Sequence, residues 1–290
     1  MFKKRTFNPK MLNYPSLYFY INVAAYYPYY YLGKTLDAFS QRSDIKRLDM
    51  QTLAVAKSPQ PSNMLLGRMV TVIFSVATVF LVYKIGKDMT GSIYAGILSA
   101  FLTAICPTLI QNSGYITPDT FVGFFAMLTL FCSFLIFKHG LTRYYIIAGI
   151  SAGLTISCKY NGAIILITIP AAHFLKNGLK GFKDFRIYFA LVLSIFAFIL
   201  TTPYAILDFE RFKKAVEFER LHYSVLGHPG ARNKPFIGYF SYLWRTKGIV
   251  TIVALAGIIT GFYRRRKEII LLSVFPLAYF LFVGRMVTQT

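Results

Sequence analysis

Four ionisable residues stand at the ends of long apolar stretches: Arg68, Asp119, Lys159 and Arg285. Charges at membrane depth are rare because desolvating them is costly, so each of these marks a candidate functional position. Two histidines, His222 and His228, fall in a polar segment between apolar blocks. Together the six residues offer several cations and one carboxylate. Such a set suits a phosphorylated lipid: cations fixed away from bulk water stabilise a phosphate, and stabilise more strongly the charge that grows as it leaves. Each residue also has a plainer reading. Arg68 and Arg285 serve equally well as interface anchors, and Lys159 as an end-cap reaching for water. Asp119, directly after Pro118, serves equally well as a favourable charge at a helix N-terminus. Charge and spacing alone leave these alternatives open.

The elements that must position such residues follow from composition. Hydrophobic residues make up 56% of the 290 positions and charged residues 15%, against about 25% charged in soluble domains. A soluble core cannot absorb that much apolar surface. The apolar residues fall in uncharged blocks at Met69–Tyr83, Met89–Pro118, Thr120–Phe137, Tyr144–Cys158, Tyr160–Leu175, Ile187–Leu207, Gly248–Tyr263 and Ile269–Gly284. Spanning a bilayer takes about 17–25 residues, so the shorter blocks rely on snorkelling Lys or Arg or on cover inside a bundle. The expected fold is all-α, a polytopic transmembrane helix bundle of about eight spans with external juxtamembrane helices. Cys106, Cys132 and Cys158 lie in apolar blocks without metal or redox spacing and read as small core residues.

The net charge of +21 does not point to nucleic acid, because no basic face survives once the helices are assigned. With Arg68 external, the short loops alternate. Lys84 and Lys87 lie inside, Gln111–Asp119 outside without Lys or Arg, Lys138 and Arg143 inside, and Lys159 outside. Lys176 to Arg186 and the run Arg264 to Lys267 again fall inside. Every short loop on one side is basic, as the positive-inside rule requires. This places the chain in a cell membrane, multi-pass, with its active face external or periplasmic, or lumenal in a eukaryote.

The chain divides into an external juxtamembrane segment and loop (1–67), a six-span bundle (68–203), an external loop with an amphipathic helix (204–247) and two further spans (248–290). The stretch Ser16–Leu32 is interrupted by Pro28 and flanked by Pro15, and eight tyrosines lie between Tyr14 and Tyr31. Tyrosine belongs at the membrane interface, so a helix pair lying on the outer surface is expected here. Asp208–Glu219 carries mixed charge with Phe209, Phe212, Val216 and Phe218 near helical spacing, which predicts a surface helix. Leu226 to Ala231 reads as a loop.

Several strings, in order along nearly the whole chain, resemble the GT-C superfamily of glycosyltransferases. The resemblance is to the branch of dolichyl-phosphate-mannose protein mannosyltransferases and lipid A aminoarabinose transferases. The strings are Asn8-Pro9, Asn13 to Tyr20, Gly67-Arg68, Thr117-Pro118-Asp119, Gly149 to Gly153, Ser157 to Tyr160, Thr202 to Phe209, His222-Tyr223 and Gly227 to Gly230. The resemblance implies transfer of a sugar from a polyprenyl-phosphate donor to a protein, lipid or glycan acceptor on the external face, with inversion. By position it implies that Arg68, Lys159, Tyr160, His228 and Arg285 bind donor phosphate, and that Asp119 is a supporting acid or a metal contact. Tyr14, Tyr18, Tyr115 and His222 would line the same cavity. No metal is firmly implied, since one acid is too few ligands, though a divalent ion at Asp119 fits the family.

In this family the general-base Asp precedes the segment that Asn8-Pro9 resembles, so the base is expected upstream of Met1 and the 290 residues are read as an internal portion of a longer enzyme. Two rivals from other classes stay open. One is a transporter or lipid flippase, which would show a pseudo-repeat with broken helices at matching positions. The other is an inactive relative that only binds lipid phosphate.

Overall fold

The computed structural model describes residues 7–37, 62–226 and 235–286. Among them there is helix and no strand, as expected where every backbone group must find its partner within the segment. The first helices are α1 (Leu17–Thr35), α2 (Ser62–Thr90), α3 (Ile93–Ala104), the short α4 (Pro107–Ser113), α5 (Pro118–His139) and α6 (Thr142–Cys158). A 3₁₀ segment, Tyr160–Ile167, runs into α7 (Thr168–Asn177), followed by α8 (Phe185–Thr201). The short α9 (Tyr204–Leu207) leads to α10 (Phe209–Leu221), a π turn at His222–Leu226, α11 (Ile237–Lys247), α12 (Ile249–Tyr263) and α13 (Lys267–Val283).

Every apolar block expected from the sequence lies in helix, and several boundaries differ for local reasons. Met69–Tyr83 is the middle of the 29-residue α2. The block Met89–Pro118 breaks into α3 and α4 with a bend of 62°. Pro107 forbids helical backbone at Cys106, which is extended (φ −67, ψ 116), and then starts α4 at its first position. The expected juxtamembrane pair is one helix, α1, with Pro28 inside it. Pro28 and Ala24, whose carbonyl loses its partner, are both exposed, so the lost bond faces out. The segment expected as loop before Gly248 contains α11, whose Ile237, Phe240 and Trp244 are exposed at helical spacing, the pattern of an interfacial helix. Gly248, at φ 53, turns α12 away from α11 by 115°, a backbone that a Cβ would strain.

Among the described residues, three helical segments are long and apolar enough to cross a membrane, Met64–Thr90, Pro118–His139 and Tyr160–Lys183, and up to five if each bent pair is one span. Helices α6, α8 and α13 have 17 residues each, about the minimum for a span.

The core lies between α5, α6, α7 and α13, where Phe134, Ile136, Tyr145, Ile165, Ile169 and Leu271 are sealed from solvent. Helices α6 and α8 meet backbone to backbone: a Cβ on Gly149 would stand 2.4 Å from the Ala190 carbonyl oxygen, and one on Gly153 2.3 Å from that of Ser194. Buried hydroxyls bridge the helices, Thr129 to Ser151 at 2.9 Å and Ser133 to Thr168 at 3.0 Å, as small polar residues do in membrane bundles.

At one end of the bundle basic side chains cap helix C-termini. Lys176 Nζ donates to the Lys138 carbonyl at 3.0 Å, Lys138 to that of Asp88, and Arg186 to that of Gly140. His173 is sealed at this end. Its Nε2 faces the Gly181 carbonyl at 3.0 Å, which can only accept, so Nδ1 is the acceptor for the Tyr145 hydroxyl at 2.6 Å. Tyr145→Phe leaves that nitrogen without its main donor and is expected to cost about 1–3 kcal/mol. A fall of a few degrees in the unfolding midpoint of the purified protein checks it.

Candidate functional site

Asp119 and Lys159 come from different helix ends and meet at the opposite end of the bundle. Thr117 is extended (φ −118, ψ 160) because a proline follows, and Pro118 starts α5 with Asp119 in its first turn. Lys159 is extended (φ −154, ψ 130) between α6 and the 3₁₀ segment. That segment folds back on the end of α6, where a Cβ on Gly162 would stand 2.8 Å from Thr155 Cγ2. The break carries the Lys159 side chain across to α5, and its Nζ donates to Asp119 Oδ1 at 2.8 Å.

Lys159 is 17% exposed and Asp119 42%. Burial favours the neutral amine, but the adjacent carboxylate outweighs it and holds the Lys159 pKa above its ordinary 10.5. A raised ammonium pKa adds stability that is complete below the ordinary value and is lost only as pH climbs through the raised one. Unfolding midpoints of wild type and Lys159→Met are therefore expected to run parallel from pH about 7 to about 9, well below the ordinary lysine pKa.

Lys159 forms part of the wall of a cavity of about 370 Å³. The residues before α1 close one side. Tyr160 donates its hydroxyl to the Leu12 carbonyl at 2.8 Å, and Asn13 Nδ2 donates to Glu219 Oε1 at 3.0 Å. Helix α10 leans on the same wall, with the Phe212 ring edge-on to Tyr160 at 5.7 Å. Asn161 Nδ2 donates to the Tyr279 hydroxyl at 3.1 Å, tying the floor to α13. Tyr14, Tyr223 and Tyr239 add phenols, while Val216, Phe282, Val283 and Met286 supply an apolar side. Tyr223 is held above the usual phenol pKa, chiefly by burial, and so stays a neutral hydrogen-bond donor.

Of the residues singled out from the sequence, Lys159, Tyr160 and Tyr14 line this cavity, and Asp119 reaches it through Lys159. Asp119 also faces a separate niche of about 30 Å³ with Asn112 and Thr120. The other expected residues are not in the lining. Arg68 sits half-buried near the start of α2, while Arg285 is exposed and donates to the Leu281 carbonyl at 3.1 Å. Tyr115 is half exposed, Tyr18 packs edge-on to Tyr14, and His222 stacks over Phe218. His228 lies outside the described residues. Asn13, Asn161, Glu219, Arg220, Tyr223 and Tyr239 also line the cavity, and Tyr279 holds Asn161; none of them was singled out from the sequence as a site residue. Asn13 and Tyr223 stood inside strings already singled out, and Glu219 closed the predicted surface helix; only the fold brings them to one cavity.

Compared with protein families, residues 61–206 match the model for dolichyl-phosphate-mannose-protein mannosyltransferase, half of the chain. The chain belongs to this family. It is thus a helical membrane protein of a glycosyltransferase family, as the resemblance of its motifs implied. No curated protein and no solved structure gave a significant match. The stretch matched to the mannosyltransferase family contributes Asp119, Lys159, Tyr160 and Asn161, whereas the strap before α1, α10 and α13 bring their residues from outside it.

A metal at Asp119 does not fit these residues. Among those described, no three His, Cys, Asp or Glu side chains converge, and the Lys159 ammonium already occupies Oδ1.

Proposed function

We propose that the chain transfers a sugar from a polyprenyl-phosphate donor to an acceptor hydroxyl on the external face of a membrane, with inversion at the anomeric carbon. The observation that carries this reading is the Lys159 ammonium, held charged by Asp119 in the wall of a largely apolar cavity. A lipid phosphate needs both a fixed cation and apolar cover beside it, and Phe282, Val283 and Met286 supply the cover.

In the reaction the acceptor oxygen forms a bond to the anomeric carbon, while the bond from that carbon to the phosphate oxygen breaks. The electron pair leaves with the phosphate, and Lys159 stabilises the charge it carries away. The hydroxyl proton passes to a carboxylate base, as the family resemblance implies. Asp119 keeps Lys159 charged and aimed. The external face is supported by the basic residues gathered at the other end of the bundle, among them Lys138, Lys176 and Arg186.

The test uses the purified full-length protein in nanodiscs with dolichyl-phosphate-mannose and a mixed peptide and glycan acceptor pool. Sugar transfer supports the proposal. Donor binding without transfer assigns the chain to the lipid-phosphate-binding relatives instead. Movement of the lipid between leaflets without transfer assigns it to flippases.

A further inference from the structure

A second charge faces the same cavity and the transfer scheme does not use it. Glu219 is half-buried on α10, and its Oε1 accepts from Asn13 at 3.0 Å. Arg220, its neighbour in sequence, also lines the cavity, but its guanidinium is paired with Glu217 at 2.6 Å. Among the described residues no ammonium or guanidinium lies within ion-pair distance of Glu219.

An ionised carboxylate offers about four acceptor sites, and one amide fills one of them. Glu219 lines a mainly apolar cavity, whose polar lining also includes Arg220 and the Tyr14 and Tyr223 phenols. The chemistry that completes such a carboxylate is a set of neutral hydroxyl donors. A second anion would be repelled. The cavity is therefore polarised: Lys159 draws the anionic end of a ligand, and Glu219 draws an uncharged, hydroxyl-rich end.

We infer that Glu219, braced by Asn13, binds the hydroxyls of the donor's sugar and is the residue by which this site recognises a glycosylated carrier over the bare lipid phosphate. This rests on the transfer reading above and assigns the sugar-bearing side of the same cavity.

The test is equilibrium binding to the whole chain in nanodiscs. The probes are dolichyl phosphate and dolichyl phosphates carrying mannose, glucose or aminoarabinose. Glu219→Gln keeps the acceptor for Asn13 and removes the charge. It is expected to weaken the best-bound glycosylated lipid by about tenfold, the loss of a charge-assisted hydrogen bond, and to leave the bare carrier within about twofold. Lys159→Ala is expected to weaken both kinds of lipid. Equal loss of both lipids in Glu219→Gln overturns the inference as a structural effect, and so does no loss of either. A wild-type protein that gains no affinity from any of the sugars also overturns it. Loss of both lipids in Lys159→Ala with Glu219→Gln unaffected leaves the transfer reading standing and removes this one alone.

Discussion

Lys159→Ala is expected to lower sugar transfer by about 100-fold or more, the usual effect of removing one group that stabilises charge developing in a shielded site. The ammonium lies in the wall of the cavity, and its charge is secured by Asp119 at 2.8 Å. The same substitution also leaves Asp119, 42% exposed, without its partner, a modest cost in stability, so activity must be separated from folding. Lys159→Ala combined with Asp119→Asn supplies the separation: the orphaned charge is gone, and the unfolding midpoint is expected to recover. Transfer is expected to stay at the level of the single Lys159→Ala variant. Recovery of both properties together would make the pair a structural brace and remove Lys159 from the phosphate site. Asp119→Asn alone, which keeps the ammonium but loosens its aim, is expected to fall between wild type and Lys159→Ala.

Gly153→Val is expected to abolish assembly of the bundle, with the protein recovered from membranes only as aggregate. A Cβ there would stand 2.3 Å from the Ser194 carbonyl oxygen and 2.8 Å from Ala197 Cβ. The first of these is backbone, which cannot rotate away, so α6 and α8 must separate. Overpacking in a core typically costs about 1–3 kcal/mol, and here the separation also disturbs Ser157, which lies on α6 between the Phe198 carbonyl and the Thr201 hydroxyl of α8. Gly123→Val is the control. A Cβ at Gly123 meets nothing within 4 Å, and that variant is expected to elute as a single species in size-exclusion chromatography. Normal elution of Gly153→Val would show that the α6–α8 approach is looser than its geometry.

Much of the architecture was legible in the chain itself. Runs such as Thr120–Phe137 have no soluble alternative, because burying them in a water-soluble core is impossible at 56% apolar content. Pro118 with Asp119 announced a helix start. Breaks were harder. Cys106-Pro107 lay inside an unbroken apolar run, and only local backbone sterics at the proline divided it. Helix α11 went unseen because its apolar residues face outward and read as part of a polar loop.

For the site, the sequence determined by itself which groups are costly to place at membrane depth, and so it named Asp119 and Lys159 together with Arg68 and Arg285; Tyr160 entered through the family resemblance. It determined no partner for any of them. That Lys159 pairs with Asp119, 40 residues away, follows from an extended residue between two helices. That Glu219 shares the cavity follows from a strap 206 residues away in the chain, where Asn13 reaches α10. Arg68 and Arg285 carry the same charge as Lys159 and end outside the lining. The physical reason is that desolvation cost belongs to a residue and its immediate neighbours, whereas a cavity belongs to several helix ends packed at once. Only their packing decided which of the equally costly charges meet around it.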